Sequence, residues 1–183
     1  MASSISNKTI WSDAALYGLV LGIVTIGFSL LHTLAAKVSG IASGFLGTGL
    51  WILKFAGCIL LFRYFLQRFA KNRPEAEYED TKTLGLAVAL TSALIVAAYG
   101  LADALYIHPE AMQEAMDAAM ASYSSMLTSD QMDMMGNMTG SMPVISFFTM
   151  LLYCFLFGLI LTFIFAPKIT PKKSIFDEPD AQQ

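Results

Sequence analysis

Charge is scarce in this sequence, and so are the residue patterns from which catalytic chemistry is usually built. Lys, Arg, Asp and Glu make up 14% of its 183 residues, against about a quarter in an ordinary soluble domain. A mean hydropathy of +0.60 and a hydrophobic share of 56% exclude such a domain, because the apolar residues are bunched into long runs. Only two cysteines occur, Cys58 and Cys154, both inside apolar runs and outside any C-x-x-C pair or Cys/His cluster. That excludes a disulfide framework and a thiolate metal motif, and the plain reading of each thiol is a small apolar filler. The sequence has no phosphate loop, no H-E-x-x-H and no nucleophile motif, so it points to no enzyme and implies no cofactor.

What the chain does have is four apolar runs. A helix rises about 1.5 Å per residue and the hydrocarbon core is about 30 Å thick, so roughly 20 apolar residues are needed to span it. Residues 14–36, 46–66, 84–107 and 143–166 meet that length. Lys54 and Arg63 interrupt the second run and Asp103 the third, while the first and fourth carry no formal charge. Lipid offers the backbone no hydrogen-bond partner, and the runs alternate too little for barrel strands, so each is read as a helix. The predicted fold is an all-α integral membrane four-helix bundle at 14–166. A cytoplasmic N-terminus at 1–13 and a cytoplasmic tail at 167–183 flank it.

The net charge of −3 hides a sided distribution. Lys8, then Arg68, Lys71, Arg73 and Lys82, then Lys168, Lys172 and Lys173 all fall on one predicted face, and only Lys37 on the other. The excess of basic residues marks the cytoplasmic side and places both termini there. The first run is too long for a signal-peptide core and lacks a strongly basic leader, so it reads as an uncleaved anchor. Gly18 and Gly22 make a small-x-x-x-small face that invites close helix approach, to a second copy or to another membrane protein. The short 37–45 connection suits an antiparallel hairpin. The basic loop before the third run is offset by Glu75, Glu77, Glu79 and Asp80, so it reads as a topology signal that touches anionic lipid, with no nucleic-acid partner.

Three ionisable side chains fall in the outer half of the predicted spans: His32, Lys54 and Asp103. Lys54 lies roughly 12 Å from its helix end, where an unpaired ammonium costs a few kcal/mol. Either Lys54 reaches Asp103 as a structural ion pair while Asp103 and His32 sit in the wet interface, or the three line a polar cavity that binds a small ligand or relays a proton.

Between the third and fourth runs, residues 108–142 hold nine methionines and no Lys or Arg. Pro109 is placed to open a helix on which Met112, Met116 and Met120 recur at i, i+4. A second start signal at Thr128 to Gln131 leads into Met132, Met134, Met135 and Met138. The expectation is a pair of short amphipathic helices capping the outer mouth. Thioether sulfur suits Cu(I), so these seven methionines are candidate ligands; the competing reading is adaptable packing material.

The four-span layout, the basic loop after the second span, Tyr99, Tyr106 and Pro109 at the end of the third, the "TSDQMDMM" insertion and Gly158 in the last span together carry a resemblance. The chain resembles a family of small bacterial membrane proteins catalogued as domain of unknown function 4199, found largely in Bacteroidota. The resemblance implies a bacterial inner-membrane location and no established activity. From the residues themselves, the expected role is a non-catalytic structural or accessory component of a membrane assembly. Ligand or ion handling by His32, Lys54 and Asp103, and outward-facing Cu(I) binding, remain as alternatives.

Overall fold

The computed structural model of the chain describes residues 5–36, 41–123, 128 and 139–170. Four long helices dominate: α1 (Asn7–Ala36), α2 (Ile41–Asn72), α3 (Tyr78–Ala102) and, after a shorter α4 (Pro109–Tyr123), α5 (Met142–Ile169). A π-helical turn, Asp103–Ile107, continues α3, and a 3-10 turn, Thr139–Ser141, leads into α5. No strand occurs among the described residues. Helices α1, α2, α5 and α3 with its π turn are each long and apolar enough to cross a membrane. The chain is therefore an all-α, multi-pass membrane protein. Each helix runs past its apolar stretch, since polar residues at the ends can stay helical among the headgroups.

The ends follow local chemistry. Asp80 accepts a hydrogen bond from the Glu77 backbone N–H at 3.0 Å, satisfying one donor at the start of α3. Pro109 is the first residue of α4 and a proline lies in the first turn of α5, positions where a missing N–H costs nothing. At the other end of α5, Pro167 is followed by Thr170, whose N–H closes on the Ala166 carbonyl at 2.9 Å. The widened turn after α3 ends where the His108 N–H meets the Asp103 carbonyl at 2.8 Å.

Helix α3 is the central post. Half of its most apolar window is buried, against 6% for α2. Its seams are built on residues without bulk, because apolar side chains gain little from leaving lipid and helices associate in it through close van der Waals packing. A Cβ placed on Gly85 would lie 2.6 Å from Thr162 Cγ2, and one on Gly158 would lie 2.4 Å from Ala89 Cβ, so α3 and α5 approach to backbone distance. Against α1, a Cβ on Gly18 would meet Thr91 Cβ at 2.6 Å, and one on Gly22 would meet Ile95 Cγ2 at 2.9 Å. The small-residue face of α1 thus packs on α3 within the chain. Thr162 and Thr91 donate their hydroxyls to Gly158 and Ala87 carbonyls one turn back, both at 2.8 Å, so these two hydroxyls are satisfied locally.

Burial is concentrated at one end. Ile10, Phe62, Leu66, Phe69, Leu84 and Val88 are almost wholly enclosed, and Tyr17 stacks on Phe65 at 4.6 Å. Arg73 pairs with Asp13 across that end while its guanidinium covers the Phe69 ring at 4.7 Å, tying the start of α1 to the end of α2. Towards the opposite end of α1 and α2, large side chains such as Leu31, Leu34, Trp51 and Leu53 are half or more exposed. The interior left between a tight end and a looser one is where the candidate site lies.

Candidate functional site

A cavity of about 180 Å³ sits inside the bundle, walled by all four long helices. Helix α1 supplies Leu21, Thr25 and Ser29; α2 supplies Lys54 and Cys58 with Trp51, Phe55 and Phe62 around them. Ala89, Ser92 and Val96 of α3 form the back, and Tyr153, Cys154 and Phe157 of α5 the remaining side. Most of the wall is apolar. Its polar groups converge from different helices, which is the usual composition of a small-molecule site.

Among the described residues, Lys54 is the one charged residue on that wall. Its ammonium donates to Ser29 Oγ at 3.0 Å, and Ser29 donates its own proton to the Thr25 carbonyl at 3.1 Å. Thr25 in turn donates to the Leu21 carbonyl at 2.8 Å and touches Cys58 Sγ at 3.5 Å. The hydroxyls are therefore committed to the α1 backbone, and Ser29 serves Lys54 purely as an acceptor. An ammonium has three donors; the remaining two meet no acceptor among the described residues.

A second hollow, of about 300 Å³, lies on the α1–α2 seam and is lined by Phe28, Ser29, His32 and Thr33 opposite Leu50, Trp51 and Lys54. Ser29, Trp51 and Lys54 line both spaces, so Lys54 belongs to both walls. Among the described residues, no Asp or Glu lines either space.

Of the three intramembrane ionisable residues singled out by the sequence, the fold brings His32 and Lys54 to one hollow. Asp103 is elsewhere: it stands on the π-helical turn and its Oδ1 is 3.0 Å from His108 Nδ1. Among the described residues, the ion pairs are Arg73 with Asp13, Lys82 with Glu79, and His108 with Asp103, and none involves Lys54. The physical reason lies in position: a shared outer half of the membrane does not bring two side chains together, and Asp103 stands only four residues before the end of its span at Ile107, next to His108. Met112, Met116 and Met120 lie on α4, with Met120 half-buried, while Met132, Met134, Met135 and Met138, and the second short helix expected from Thr128, fall outside the described residues apart from Thr128 itself.

Several site residues were passed over in the sequence. Thr25, Ser29 and Thr33 form an i, i+4 line of hydroxyls on α1, a repeated polar stripe within an apolar run that could have been read as an inward face. Cys58 and Cys154 had no such signal, since a thiol on a cavity wall and a thiol in packing have the same local sequence.

The fold and this cavity define a small multi-pass α-helical membrane protein with a cationic anchor inside its bundle. No protein-family model, curated protein or solved structure matches the chain.

Proposed function

We propose that this protein binds a small anionic ligand within the membrane, non-catalytically, using the cavity around Lys54. The observation that carries the reading is a lysine held at membrane depth, its ammonium bonded to Ser29, on the wall of a cavity to which no acidic residue among the described residues contributes. An unpaired ammonium near the middle of a spanning helix costs about 2.5–3.5 kcal/mol on insertion scales, which an anion would recover by supplying the counter-charge. Among the described residues, no carboxylate or imidazole lines this cavity to act as base beside Cys58 or Cys154, so the wall supports binding better than covalent chemistry. An accessory role through Gly18 and Gly22 loses its motive, because both glycines already pack against α3.

The same reading places the ligand site in the half of the bundle nearer the methionine-rich segment, with both termini on the cytoplasmic face of a bacterial inner membrane. Basic residues at the Arg73 end support that orientation, while the inner-membrane location is what the resemblance to the family of unknown function 4199 implies.

Native mass spectrometry of the full chain extracted from its own membranes tests the proposal. A small adduct near one per chain is expected on the unaltered protein, lost in Lys54→Met and retained in Lys54→Arg, with helical circular dichroism unchanged in all three. A bare chain, or an adduct indifferent to Lys54→Met, contradicts it. Loss of folding in Lys54→Met with no adduct on the unaltered chain assigns the lysine a purely structural role.

A further inference from the structure

We propose that the ligand is a single-chain amphiphile with one carboxylate head, held head-first at Lys54 with its apolar tail leaving the bundle between α2 and α5. This rests on the reading of the cavity as a ligand site and adds the chemical class.

Charge sets the head. Among the described residues the wall has one ammonium and no acidic group, which calls for a monoanion; a dianionic phosphate monoester would leave a negative charge unbalanced in a medium of low dielectric. Two N–H groups of Lys54 remain beyond the one given to Ser29, which suits the two oxygens of a carboxylate. The same positive charge repels a metal cation from the thiols of Cys58 and Cys154 beside it.

Size sets the rest. An apolar cavity of about 150 Å³ holds one benzene molecule, so about 180 Å³ takes a carboxylate and its first few carbons. A phosphodiester carrying glycerol and two acyl chains is monoanionic too, but its head is too bulky for this space. The longer part of a tail must therefore lie outside, and the walls show where. Trp51 and Tyr153 line the cavity yet are 58% and 62% exposed, so the space reaches the lipid-facing surface between α2 and α5. Phe55 bridges those two helices at that level, stacked on Trp51 at 5.5 Å and tilted against Phe157 at 4.8 Å, an aromatic shelf along which methylenes can lie.

Trp51 also supplies the reporter. Replacing Trp11 with Phe leaves Trp51 as the only tryptophan, since the chain has two. The full chain in phosphatidylcholine nanodiscs is titrated with dibromostearate, whose bromines quench indole at contact, and separately with its methyl ester and with brominated phosphatidylglycerol. Saturable quenching by the acid is expected, with the ester and the phosphatidylglycerol quenching only in proportion to their share of the bilayer. Lys54→Met should weaken the acid at least tenfold and Lys54→Arg by less. Equal quenching by acid and ester on the unaltered chain overturns the proposal without recourse to any variant, as does phosphatidylglycerol matching the acid. A Lys54-dependent adduct in the native mass spectrum without Lys54-dependent quenching removes the carboxylate class and leaves the cavity reading standing; no adduct and no saturable quenching removes both.

Discussion

Among the described glycines, the one with least room for a methyl gives the most demanding test of the bundle, Gly158→Ala. A methyl on residue 158 would stand 2.4 Å from Ala89 Cβ and 3.2 Å from Ala89 Cα, where carbon atoms prefer about 3.5–4.0 Å. Neither partner is the far end of a flexible side chain, so the α3–α5 seam must open by roughly 1 Å or more. Nearby on the same seam, Gly85 rests on Thr162, and Thr162 is anchored to the Gly158 carbonyl, so the opening is felt along several turns. Overpacking of this kind costs about 1–3 kcal/mol, partly offset by up to about 1 kcal/mol from the better helix propensity of alanine. A net loss of about 1–2 kcal/mol is a factor of 5–30 in the folded-to-unfolded ratio. The assay is reversible unfolding by dodecyl sulfate in mixed micelles, followed by circular dichroism. The sharper arm is the swap Gly158→Ala with Ala89→Gly, which moves one methyl across the seam and leaves helix propensity balanced. The swap should recover more than half of the loss. A Gly158→Ala protein as stable as the parent, or a swap no better than the single change, would refute the packing described for α3 and α5.

Two other outcomes follow from the same structure. In a double-mutant cycle, Lys54→Met and Asp103→Asn should be additive to within about 0.5 kcal/mol, as expected for groups with no shared partner; a coupling well above 1 kcal/mol would mean that the two residues meet. Alkaline phosphatase fused within residues 112–142 should be active and a fluorescent protein after Gln183 bright; the reverse pattern would invert the orientation read from Lys8, Arg68, Lys71, Arg73 and Lys168.

The four membrane helices were legible because run length alone carries them: nothing but a helix satisfies so many backbone groups in lipid. Which helix stands at the centre was not. In water a buried face is apolar and an exposed one polar, but here Leu94 faces outward and Val88 inward with similar side chains. Small residues hold the missing information, and α3 has it in Gly85, Ala87, Ala89, Ser92 and Ala93, all buried. Of the candidate site, Lys54 was legible from the cost of its charge. Its partner was not, since Asp103 shares its half of the membrane but pairs with His108 at the π-helical turn, while Ser29, a hydroxyl in an apolar run, meets it across the α1–α2 seam.

The account turns on what surrounds the Lys54 ammonium. Single-particle density for the full chain in a nanodisc made from its native lipids reads this directly. Non-protein density filling the space between Ser29, Lys54 and Cys154, with its head at the lysine nitrogen, is the expected result. A Lys54 side chain turned out of the cavity onto a carboxylate of the chain itself would contradict it.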